Sequence, residues 1–136
     1  MASALLSQKL YLRLDRGEFM ITIKDNIIKL DFHEETLHCD IYADGTKWTW
    51  QHNYQPYFKY NGKDVLFSEA KNVSHKRYDT GIGFGLVSHY ENFEQVPELC
   101  FETYIWIELS TGDVHFEWIP ITEPASGMDE VVWPGA

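Results

Sequence analysis

The chain has 136 residues, enough for about one domain with a single sizeable core. Hydrophobic residues make up 44% and charged residues 24%, an ordinary globular balance that excludes a disordered chain. A formal charge of −10 excludes binding through clustered Lys and Arg, so neither nucleic acid nor an anionic membrane is an expected partner.

Residues 1–8, MASALLSQ, carry neither a basic segment nor a long apolar run, and are expected to be a flexible or added start. No secretory signal is visible, so a cytoplasmic location is expected, and no apolar run approaches the ~20 residues that span a bilayer. From Lys9 the dominant period is two. KLYLRL sets Leu10, Leu12 and Leu14 against Lys9, Tyr11 and Arg13, and FMITIKD, NIIKLDF, LHCDIYA, TKWTWQ and PYFKY continue the pattern. Arg16-Gly17, Asp25-Asn26, Asp44-Gly45 and Asn61-Gly62 punctuate these segments. Asp-Gly and Asn-Gly are strong hairpin cues, because a type I′ turn needs positive φ at both central residues.

Beyond Gly62, LFSEAKN offers one turn of helix, and VSHKRYD leads into TGIGFGLVSHYENF. LCFETYIWIEL and DVHFEWIPI, joined at Thr111-Gly112-Asp113, form the clearest hairpin. The expectation is an all-β fold with little or no helix, an antiparallel β-sandwich of about ten short strands over residues 9–123. The tail, 124–136, has Pro124, Gly127 and Pro134 with little periodicity, and is expected to begin a linker towards a further domain.

Several motifs invite chemistry. Gly81, Gly83 and Gly85 alternate, but no helix or P-loop lysine follows, so they do not make a phosphate cradle. They are expected on the bare face of a strand that another backbone or a large ring approaches. His33, His38, His52, His75, His89 and His115 lack close ligand spacing, so no metal or other cofactor is expected; a site would need distant strands to converge. Cys39 and Cys100 could form one bridge but are expected as two buried free thiols. The carboxylates Glu98 with Glu102 and Asp113 with Glu117 can share strand faces, as outward acids of any acidic sandwich do, and no serine has a nucleophile setting. Trp48 and Trp50 share a strand face near Tyr54 and Tyr57, a candidate core, domain interface or sugar platform.

LHCDIYADGTKWTW, TGIGFGLVSHYENF and FETYIWIELSTGDVHFEWIPITEP, running on to VVWP, together resemble the N-terminal, galactose-mutarotase-like β-sandwich domain of glycoside hydrolase family 31. That family comprises retaining α-glucosidases, α-xylosidases, α-galactosidases and related enzymes. The resemblance implies that the catalytic aspartates belong to a following (β/α)₈ barrel, so no catalytic residue is assigned here. It implies that this domain packs on its own barrel and helps shape the pocket for the parent enzyme's carbohydrate substrate. Family members carry a glycine strand near the pocket rim that commonly ends in Gly-Glu. Here Gly83-Phe84-Gly85-Leu86 has no following Glu, and His89, Tyr90 and Asn92 are the candidate rim residues. Trp48, Trp50 and Trp133 are the candidate interface or platform. The alternative from the residues alone is a stand-alone sandwich or barrel binding a carbohydrate or small ligand.

Overall fold

The computed structural model describes residues 13–17, 19–25, 27–49 and 55–134, and Trp50 and His52 lie outside them. Among the described residues, the alternation produces twelve strands in three antiparallel sheets and one 3₁₀ turn, at Phe67–Glu69. The fold is all-β, as the period-two pattern predicts. Among the described residues, no helix is long and apolar enough to cross a membrane.

The strands fall into two compact units, Met1–Trp50 and Gln51–Ala136. In the first, β1 (Arg13–Arg16), β2 (Met20–Lys24), β3 (Ile28–His33), β4 (Cys39–Ala43) and β5 (Thr46–Thr49) form a meander in chain order. Ile21, Ile23, Leu30, Phe32 and Cys39 share its buried apolar face. The opposite face is polar, with Thr22 Oγ1 donating to Asp31 at 2.7 Å and His33 Nε2 lying 3.0 Å from Asp40. Asp44 and Gly45 have φ of 51° and 73°, which is the type I′ turn their sequence predicts.

The second unit is a two-layer sandwich. One sheet has the order β11-β10-β9-β8, from β8 (Asn72–Asp79), β9 (Gly83–Glu91), β10 (Cys100–Glu108) and β11 (Val114–Thr122). The other has β12 (Met128–Val132), β6 (Tyr57–Tyr60) and β7 (Lys63–Leu66), with Asn61 and Gly62 at φ of 50° and 79° in the β6–β7 turn. β12 falls in the tail where spacing shows no strand; it pairs antiparallel with β6, with a bulge between Met128 and Glu130.

Aromatic rings fill the space between these layers. Phe101 on β10 is the hub: its ring centroid lies 4.7 Å from Phe67, 5.0 Å from Tyr90, 5.7 Å from Phe93 and 5.4 Å from Trp118. Phe58 of β6 meets Phe93 edge-on at 5.2 Å. Offset and edge contacts of this kind add to the area buried by each ring.

Candidate functional site

Strand alternation decides which side chains of β9 and β10 are available for chemistry. Phe84, Leu86, Ser88 and Tyr90 point inward, opposite Ile107, Ile105, Thr103 and Phe101. Gly83, Gly85, Val87, His89 and Glu91 share the outer face with Glu108, Trp106, Tyr104, Glu102 and Cys100.

The glycines have a clear steric reason. A Cβ at Gly85 would collide with the Ile105 carbonyl oxygen and sit 2.7 Å from Trp106 Cβ; one at Gly83 would sit 2.8 Å from Trp106 Cε3. The bare strand face is therefore occupied by β10 and its tryptophan, as the alternating glycines predict. Gly81 belongs to the turn before β9, with φ of 91°. Trp106 in turn stacks on His115, with centroids 4.1 Å apart and rings 14° from parallel, and its Nε1 donates to Glu117 at 2.8 Å.

Further along the same face, four residues of β9 and β10 form a two-by-two square. Glu91 stands opposite Cys100, and His89 opposite Glu102. His89 Nδ1 lies 3.2 Å from Glu102 Oε2, while its Nε2 lies 3.3 Å from Cys100 Sγ and 3.4 Å from Glu91 Oε2. Tyr104 donates its hydroxyl proton to Glu102 Oε1 at 2.6 Å, and Asn72 Nδ2 reaches Glu91 Oε1 at 3.4 Å. The Tyr104 hydrogen bond, followed by the bond and charge of His89, outweighs burial and holds the Glu102 carboxyl below its usual range. The same carboxylate, with burial, pushes Tyr104 up to about 12. Burial first, then the charges of Glu91 and Glu102, raises the Cys100 thiol, which disfavours a free thiolate nucleophile. Both thiols are free, but only Cys39 is fully buried as expected, and it too is raised, chiefly by burial; Cys100, on the outer face of β10, is partly exposed.

Each expected rim residue has a distinct place. His89 is in this outer square. Tyr90, 1% exposed, lies in the aromatic core, where its hydroxyl bonds Thr103 and Ser88. Asn92, at φ of 63°, follows β9 and lines an open depression of about 330 Å³ with Lys71, Phe93, Glu94 and Pro97. Ser88 to Glu91 continue strand β9; Ser88 breaks the apolar alternation but meets His75 Nδ1 at 2.6 Å, so its inward hydroxyl is satisfied.

Trp48 is 54% exposed on the edge strand of the first unit, opposite Ile41. Trp133 is half-buried against Phe116, ring edge to face at 5.8 Å. The carboxylates suggested as pairs are engaged separately: Glu102 with Tyr104 and His89, and Glu117 with Trp106. Sequence spacing missed the square because its members come from two strands, and only the β9–β10 register brings them together.

No family model matches the chain, and no curated protein does. Solved structures do. Over 85% of its length the chain is similar to part of the α-N-acetylgalactosaminidase NagBb from Bifidobacterium bifidum in its complex with Gal-NHAc-DNJ, at 35% identity and a TM-score of 0.79. The GalNAc complex of that enzyme gives 35% identity and a TM-score of 0.78, and the ligand-free form 34% and 0.76. The chain spans only 19% of the NagBb chain in the first of these and 18% in the other two, so the likeness is to a β-rich part of a larger glycosidase.

Proposed function

We propose that this chain is a non-catalytic β-sandwich domain of a larger retaining α-glycosidase of family 31. It packs on a (β/α)₈ catalytic barrel and helps form one wall of the substrate pocket. The observation that carries this reading is the 35% identity, over 85% of the chain, to 19% of an α-N-acetylgalactosaminidase. The sequence resemblance to the N-terminal domain of the family supports it independently.

In this reading Trp48, with its large exposed ring, is a barrel-contacting residue of the first unit, and Trp133 is one of the second. Asn92, in its open depression, is the rim residue best placed to reach a sugar hydroxyl. The substrate class is an α-linked hexoside, with α-N-acetylgalactosaminides the first to try.

The test is hydrolysis of aryl α-N-acetylgalactosaminide, α-galactoside and α-glucoside by the purified chain and by a longer polypeptide that includes the barrel. The longer polypeptide is expected to turn over at least one of them and the 136-residue chain none. Turnover by the chain alone would overturn the proposal.

A further inference from the structure

The square on the outer face of β9 and β10 is more than a hydrogen-bonded cluster. Three different donor atoms, His89 Nε2, Glu91 Oε2 and Cys100 Sγ, converge, all within 4.8 Å of one another. A tetrahedral divalent ion with bonds of about 2.0–2.3 Å holds its ligand atoms about 3.4–3.6 Å apart. The separations from His89 Nε2, 3.3 Å to Cys100 Sγ and 3.4 Å to Glu91 Oε2, match this spacing, and the Glu91 and Cys100 donor atoms lie within 4.8 Å of each other.

The outer shell fits as well. A metal-binding imidazole characteristically hands its other ring nitrogen to a carboxylate, which fixes the tautomer and ring orientation. His89 Nδ1 meets Glu102 in this way, and Glu102 is itself held by the Tyr104 hydroxyl. Asn72 from β8 steadies the second oxygen of Glu91. The β10–β11 pairing shifts register between Cys100 and Phe101, so the ladder is irregular beside the thiol. His89 and Glu91 side chains are 30% and 43% exposed, which leaves an entry path from solvent.

We infer that His89, Glu91 and Cys100 form a three-ligand site for a zinc-class divalent cation, positioned by Glu102 and open at the fourth coordination position. The mixed nitrogen, sulfur and oxygen donor set selects zinc or cobalt over calcium and magnesium, which take oxygen ligands. The ion cross-links β9 to β10, and water or an incoming donor fills the open position.

Titration of the chain with Co²⁺ tests this directly, read by the thiolate-to-cobalt charge-transfer band and by its loss on adding Zn²⁺. The expected result is one ion per chain, with Cys100→Ser abolishing the band and His89→Gln or Glu91→Gln weakening binding at least ~10-fold. Glu102→Gln, which acts through His89, is expected to weaken it ~10–100-fold, while His115→Gln on the same face leaves it unchanged. A measurement without any variant accompanies it: Zn²⁺ should slow alkylation of Cys100 at least ~10-fold when the site is saturated. The inference is overturned by the absence of a band at equimolar Co²⁺, by a band that survives Cys100→Ser, or by alkylation indifferent to Zn²⁺. Rapid metal-free alkylation that depends on His89 and ignores Zn²⁺ would make Cys100 a nucleophile and equally sink the metal site.

Discussion

Gly85 is chosen by a residue twenty-one positions away along the chain, Trp106, its partner across the β9–β10 ladder. Because an added methyl meets backbone and Cβ of that strand, Gly85→Ala has no rotamer by which to escape. We expect it to destabilise the second unit by about 1–3 kcal/mol, seen as a lower urea midpoint; an unchanged midpoint would show that β10 yields freely. Tyr104 offers a test in pH. Its folded pKa, about 12, lies above the ordinary value because its proton is held by Glu102. The stability this contributes is complete below about pH 10, where the unfolded phenol keeps its proton too, and is lost as pH rises towards the folded value. Glu102→Gln should bring Tyr104 back towards the ordinary range in an absorbance titration, with Tyr78 and Glu117 remaining as the nearby charges. No movement of Tyr104 would refute the assignment. The glycine alternation was visible in the sequence, and so was its steric meaning. The identity of the ring that fills the space was not, because cross-strand register is non-local information.

Elements are legible in the sequence where local chemistry dictates the backbone. Asp44-Gly45 and Asn61-Gly62 adopt positive φ at both positions, and LFSEAKN makes its single helical turn at Phe67–Glu69. They are illegible where tertiary pairing overrides local pattern. β12 has the sequence MDEVV, with no alternation to announce it, and exists because β6 offers an open edge. β9 runs through Ser88 because a histidine on β8 satisfies the serine hydroxyl. The layering of the second unit depends most on β10, whose Phe101 ring contacts β9, β11 and the segments around Phe67 and Phe93. Phe101→Ala should therefore cost about 3–5 kcal/mol, measured by chemical denaturation. A loss below about 1 kcal/mol would mean that the neighbouring rings collapse into the space.

For the chain as a unit of function, the legible part was the all-β class, and the illegible part was the outer-face cluster. Composition and spacing treat His89, Glu91, Cys100 and Glu102 as scattered polar residues, yet the register makes them one square. The chain is similar to 19% of a Bifidobacterium α-N-acetylgalactosaminidase, and the proposed function makes it one part of a longer polypeptide. The proposed role as a pocket wall depends on a catalytic partner, which we expect in the same polypeptide. The reading frame past the codon for Ala136 answers this most directly. We expect it to continue into alternating strands and helices of a (β/α)₈ barrel, with aspartates at the C-terminal ends of barrel strands. An immediate stop codon in the native gene would contradict the proposed role.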